Sequence, residues 1–215
     1  MASPGGTHVD QTGSPIRIVV INGSVRPRNY TKMAATLVID ELGKQSKVLT
    51  EMFDPAAVDL PLPGIDPNSN ASKHLQQTVK QATGVILATP EYHGSFSSVM
   101  KLIIENLGFP SALAGKPVAL LGVAGGMIGA IKSLEHLRSV VSHVGGIVLP
   151  LPISVPNVQN VFDSGGRCLN SGVEQLIRSV GTNLLQYLEQ NVCPRVMLER
   201  LLSEGAKSSP DVISV

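Results

Sequence analysis

A run of β-branched residues that stops at a glycine and hands over to a helix constrains this chain more than any other stretch. Residues 16–21 read IRIVVI, and Asn22-Gly23-Ser24 makes a turn. A loop carrying Arg26, Arg28, Asn29, Tyr30 and Thr31 follows, and then Ala34, Leu37, Val38 and Leu42 recur at helical spacing. A strand that enters a helix through such a turn points several backbone N–H groups, and the helix's positive end, at one place. Serine, threonine and asparagine can donate hydrogen bonds there, and Arg26 supplies a fixed charge. The loop suits a phosphate.

The rest of the chain repeats the alternation. Residues 47–54, 84–89 (GVILAT), 118–123 and 146–149 read as further strands, apolar throughout where they are longest. Helical spacing appears over 71–82, on Val99, Met100, Ile103, Ile104 and Leu107, and on Ile131, Leu134, Leu137, Val141 and Val144. A last helix rests on Val173, Leu176, Ile177, Val180, Leu184 and Leu188. Residues 55–72 hold four prolines and read as a long loop, and 150–172 read as irregular. Apolar strands alternating with amphipathic helices describe a parallel sheet covered on both faces. Right-handed crossovers and five strands favour an α/β, flavodoxin-like three-layer sandwich with a five-stranded parallel sheet in the order 2-1-3-4-5. In that order a ligand sits beyond the carboxyl ends of the strands, where the first and third strands diverge.

Both loops at that switch point should then carry binding chemistry. The loop after the third strand reads Thr89-Pro90-Glu91-Tyr92-His93-Gly94-Ser95-Phe96-Ser97-Ser98. Pro90 stiffens the strand exit, Gly94 lets backbone approach a flat ligand, Tyr92 offers an aromatic face, and Ser97 or Ser98 can cap the next helix. After the fourth strand comes Ala124-Gly125-Gly126-Met127-Ile128-Gly129, glycine-rich at the same edge. A planar group with a phosphate tail uses all three loops.

Composition excludes several other classes. The 215 residues are 43% hydrophobic and 15% charged, which describes one globular domain. With 17 basic against 16 acidic residues the net charge of +1 fits no nucleic-acid footprint. Cys168 and Cys193 make no zinc or disulfide framework and read as small buried or half-exposed thiols. His74, His136 and His143 lack metal-ligand spacing and are assigned no chemistry. The first fifteen residues, rich in Gly, Ser, Pro and Thr, read as a disordered tail without signal-peptide character. No run is long enough to span a bilayer, so a cytoplasmic protein is expected.

GSVRPRNYT, TPEYHGSFSSVMKLIIENL and GVAGGMIGA, at these spacings, resemble the NADPH-dependent FMN reductase family, which includes flavin, quinone, azo-dye and chromate reductases. The similarity spans roughly residues 16–188, and the PEY-x-GS motif is its most specific part. The resemblance implies FMN as cofactor, NADPH or NADH as reductant and a homodimer or homotetramer. It divides the chain into a tail (1–15), a flavodoxin-like FMN-binding domain (16–192) and a C-terminal extension (193–215). Ser24 and Arg26 would hold the FMN phosphate, helped by Asn29, Tyr30 and Thr31. Pro90, Glu91, Tyr92, His93, Gly94 and Ser95 would line the isoalloxazine, with Gly125 and Gly126 approaching from the fourth strand. His93 stands where the family usually has asparagine, and Arg28-Asn29-Tyr30 replaces its commoner small residues.

The implied chemistry passes hydride from NAD(P)H through the flavin to a second small-molecule acceptor: flavin, quinone, azo compound or oxidised metal. It requires no catalytic acid–base pair, and the sequence offers none. Each residue keeps a plainer alternative: Glu91 can satisfy backbone amides, His93 can lie at the surface or an interface, Tyr92 can pack on a partner subunit, and Arg28 can sit in solvent. Two other classes compete. A flavodoxin-type electron carrier shares fold and FMN, but such carriers are usually acidic and aromatic-rich. A non-flavin phosphate-binding module needs only Ser24 and Arg26 and leaves the PEY-x-GS loop without a role. Residues 148–161 and the helix ending at Phe109-Pro110 expose more apolar surface than a monomer needs, which favours association.

Overall fold

The computed structural model describes residues 15–66 and 68–207, so nearly all of the expected N-terminal tail and the end of the C-terminal extension lie outside the described residues. The parallel sheet runs β2 (Val48–Phe53), β1 (Ile16–Asn22), β3 (Gly84–Tyr92), β5 (Pro117–Val123), β6 (Ile147–Val148). This is the expected 2-1-3-4-5 path. The strand count is a correction: the described residues form seven strands, because β4 (Ser95–Phe96) pairs antiparallel with β3, and β7 (Ile153–Val155) pairs with β5. Both additions were invisible as hydrophobic runs, since β4 is two residues long and β7 three. The stretch expected to be irregular, 150–172, therefore contains a strand that lengthens the sheet edge past β6.

Alternate strand residues feed two cores. Ile18, Val20, Ile86, Ala88, Leu121 and Val123 pack under α1 (Tyr30–Gly43) and α5 (Ser171–Tyr187). Val19, Ile21, Val85, Leu87, Val118 and Leu120 pack under α2 (Asn70–Gln81), α3 (Ser98–Glu105) and α4 (Ile131–His143). Three layers follow, because a strand buried on both faces has nowhere to put a polar side chain. Met100, expected in the core, is fully buried.

Arg178 on α5 clips α1 to the same face. It reaches Asp40 at 2.5 Å and the Leu37 carbonyl at 3.2 Å, with Glu174 of its own helix at 2.8 Å. The hydrogen bond from Arg178 holds the Asp40 carboxyl below its ordinary value. A carboxyl lowered in the folded state stabilises above its unfolded pKa and loses that contribution as pH falls through the folded value. Unfolding of the Asp40→Asn variant, followed by circular dichroism from neutral to acid pH, is expected to show a shallower acid-side decline than the parent.

The last described turns form one interrupted helix. α5 passes through a π-turn (Leu188–Val192) into α6 (Cys193–Lys207). Pro194 has no N–H to donate, and the Cys193 N–H reaches back to the Leu188 carbonyl across the widened turn. Among the described residues no helix is long and apolar enough to cross a membrane.

Candidate functional site

The turn after β1 is held from below. Gly23 donates its N–H to the Ala88 carbonyl at 2.7 Å and accepts from Ser97 Oγ at 2.5 Å. Buried Ser97 also receives the Met100 N–H as the cap of α3, so one hydroxyl joins the β1 turn to the helix after β3. Replacing Ser97 with alanine leaves a buried carbonyl and a helix N–H unpaired, and is expected to cost about 2–3 kcal/mol, read as a lower denaturant midpoint with unchanged slope.

The loop itself is built by Asn29 and Ser24. Asn29 Oδ1 accepts the Lys32 N–H at 2.7 Å and caps α1, while its Nδ2 donates to the Arg26 carbonyl at 2.7 Å. Ser24, nearly fully buried, accepts the Arg26 N–H through Oγ at 3.4 Å. Buried Asn22 donates Nδ2 to the Ser24 carbonyl at 2.9 Å and to Asp54 Oδ1 at 3.3 Å. Among the described residues its own Oδ1 has no partner, leaving an open acceptor at the end of β1. Burial pushes the Asp54 carboxyl up, but Lys32 Nζ at 2.6 Å, the Ala56 N–H and Asn22 outweigh it and hold it below its ordinary value. The first turn of α1 carries no acid, and neither Arg26 nor Arg28 has a carboxylate partner among the described residues. Two uncompensated cations beside a helix's positive end leave an anion's worth of charge unmet.

Across the cleft, β3 continues through Pro90 to Tyr92, so part of the expected loop is strand. Tyr92 pairs with Ser95, and the two residues between them, His93 and Gly94, have φ of 51° and 76°. That is a type I′ hairpin turn, in which asparagine followed by glycine is preferred because both positions are left-handed. The histidine at the family's usual asparagine position thus meets a backbone demand, since both residues visit that region more readily than most. His93→Asn is expected to keep or slightly raise stability, whereas His93→Val, β-branched at positive φ, is expected to lose about 1–2 kcal/mol in thermal or chemical unfolding.

Glu91 satisfies a backbone amide and also lines the cleft. Its Oε2 accepts the Ser133 N–H at 3.1 Å in the first turn of α4, a helix whose N-cap residue Ala130 offers no side chain. Ser154 Oγ takes the Ala130 N–H at 2.8 Å. The glycine loop between β5 and α4 is therefore pinned from both strands. On its other side Val158 and Gln159 close in, with Gln159 Nε2 donating to the Gly125 carbonyl at 3.1 Å.

These parts enclose a cleft of about 300 Å³ that brings together Arg26, Asn29, Tyr30, Thr31, Pro90, Glu91, Tyr92 and Gly125 from the sequence reading. The Arg26 guanidinium lies 4.5 Å from the Tyr92 ring centre, and Tyr30 stacks on Phe162. His93, Gly94 and Gly126 line a second opening of about 360 Å³, which shares Glu91, Ala124 and Gly125 with the first. Ser24 and Ser95 line neither. Ser24 lies beneath the loop, and Ser95 Oγ meets His136 Nδ1 at 3.1 Å. Val158 and Gln159 were missed because they follow a three-residue strand and carry no motif. His136 was passed over because only the β3–β4 hairpin, not its own helix, gives it a partner.

Three loops at the carboxyl edge of a doubly wound parallel sheet, with an anion-seeking loop at its switch point, define a flavodoxin-like nucleotide- or flavin-binding protein. The chain belongs to the NADPH-dependent FMN reductase family, whose model matches residues 16–160. It is 35% identical over 176 residues to an NADPH azoreductase of Bacillus sp. (strain OY1-2), covering 80% of this chain and 93% of that one. It is 31% identical over 143 residues to an FMN-dependent NADPH-azoreductase of Staphylococcus aureus, covering 63% and 74%. In fold it resembles the NAD(P)H:(acceptor) oxidoreductase FerB from Paracoccus denitrificans, with a TM-score of 0.69 at 18% identity over 81% of this chain and 98% of that one. It also resembles the apo form of an NADH:FMN oxidoreductase, with a TM-score of 0.68 at 21% identity over 82% and 92%.

Proposed function

We propose that the cleft holds FMN, with the phosphate at the loop 24–31 and the ring along Pro90, Tyr92 and Gly125. The chain is an FMN-dependent NAD(P)H oxidoreductase. The bound flavin supplies two-electron transfer from the nicotinamide to an acceptor. The protein's own residues provide place and charge. Arg26 and Arg28 meet the phosphate's charge, and the helix α1 N-terminus adds its N–H groups. Asn29 and Ser24 keep that loop in shape, and Glu91 holds α4 so that Gly125 and Gly126 stay open to a flat group. Glycine at 126 leaves nothing within 4 Å of where a side chain would begin, so the approach is unobstructed.

The observation that carries this reading is the convergence of unpaired Arg26 and Arg28, the capped start of α1 and the Pro90–Tyr92 segment on one cleft. An azo compound is the acceptor that the named relatives point to, with quinones and free flavin as further candidates. A homodimer or homotetramer fits the outer surface. Phe109 is fully exposed beside an apolar groove between α3 and α4. Titrating the protein with FMN and with riboflavin, by quenching of flavin fluorescence, tests the phosphate assignment. FMN is expected to bind one per chain and at least tenfold more tightly than riboflavin; equal affinities would remove the phosphate from the loop.

A further inference from the structure

The second opening has a chemistry of its own. Its outer wall is Met127 and Ile128, 81% and 74% exposed, two large apolar side chains held in solvent on a loop pinned at both ends. The opposite wall is the His93–Gly94 hairpin tip, and the aliphatic stem of Lys132 lies across it, 3.6 Å from where a side chain on Gly94 would start. Lys132 has no carboxylate partner among the described residues. The acid that lines this opening, Glu91, is already engaged with the Ser133 N–H. His136, one helical turn beyond Lys132, is tied to the same hairpin through Ser95. The opening is therefore apolar on one side, bordered on the other by a lysine that has no carboxylate partner among the described residues, and continuous with the cofactor cleft through Glu91, Ala124 and Gly125.

We infer that this opening is the acceptor site, and that Met127, Ile128 and Lys132 select a flat apolar acceptor bearing an anionic substituent, such as an aromatic sulfonate or carboxylate. The inference rests on the FMN reading above. An exposed apolar pair gains from covering an aromatic ring. A cation with no partner gains from a negative group at the ring's end, by an amount that salt weakens.

The test uses the FMN-loaded protein, reduced photochemically without oxygen and mixed with para-dimethylaminoazobenzene or its para-sulfonated derivative. The rate of flavin reoxidation then reports the acceptor step without any nicotinamide. The unsubstituted protein is expected to favour the sulfonated dye. Lys132→Glu, which places an acid in the first turn of α4 where the helix end tolerates it, is expected to lower the sulfonated-to-neutral rate ratio about tenfold at low salt and less at high salt. Met127→Ser is expected to slow both dyes about fivefold. An unchanged ratio in Lys132→Glu overturns the assignment. So does a result in which only NADPH reduction of the flavin slows, because the rim would then serve the donor's phosphates. If the unsubstituted protein accepts no electrons from NADPH, the earlier reading of function fails, while this photochemical comparison still stands or falls by its own ratio.

Discussion

Arg26→Ala is expected to raise the dissociation constant for FMN by about 30- to 150-fold while leaving the fold unchanged. Arg26 is exposed and contributes little to the core, so unfolding of the apoprotein should not shift. Its charge is another matter. A hydrogen bond to a charged partner is worth about 2–3 kcal/mol, and each 1.4 kcal/mol is tenfold in binding. The guanidinium lies over Tyr92 at 4.5 Å, so it comes to the phosphate already oriented. Losing it forfeits that arrangement as well as the charge. Arg26→Lys should recover only part, because a lysine keeps the charge but not the planar fork or the stacking. Riboflavin affinity should barely change in either variant. If FMN and riboflavin weaken equally in Arg26→Ala, the arginine acts on the ring and not on the phosphate.

Gly23→Ala is expected to damage both fold and site. A methyl group there would begin 2.8 Å from the Ala88 carbonyl oxygen and 2.9 Å from Met100 Cε. The methionine can move; the carbonyl belongs to a central strand and cannot move cheaply. The Gly23 N–H bond to that same carbonyl, 2.7 Å, must lengthen, and the Ser97 bond to the Gly23 carbonyl is disturbed with it. Overpacking of this kind costs about 1–3 kcal/mol, and strain in the two hydrogen bonds adds to it. For a chain of this length a melting temperature lower by about 5–10 °C is expected in calorimetry. FMN affinity should fall as well, since the displaced turn carries the phosphate loop.

Sheet order, helix faces and the two flanking loops were legible because each is a periodic or punctuated signal. Val19 and Ile21 face one core and Ile18 and Val20 the other, which is what an unbroken apolar strand implies. β4 and β7 were not legible. A two-residue strand has no period, and its evidence lies in the backbone angles of His93 and Gly94. The asparagine-to-histidine departure was visible in sequence, but its meaning was not: a type I′ turn explains it, and the flavin edge need not. Glu91 was legible as an acceptor for backbone amides and Ser97 as a helix cap, but not the distant groups they tie in. In the structure their partners are a helix 42 positions away and a carbonyl 74 positions away, distances that no local pattern encodes. Val158 and Gln159 reach the cleft by the same long-range folding.

The absorption spectrum of the FMN-loaded protein, recorded without oxygen before and after one equivalent of NADPH, tests the central claim most directly. The visible flavin band is expected to bleach and to return when an azo dye is added, with loss of the dye's own colour. A band that stays unchanged under NADPH would contradict the claim that this cleft brings nicotinamide and flavin together.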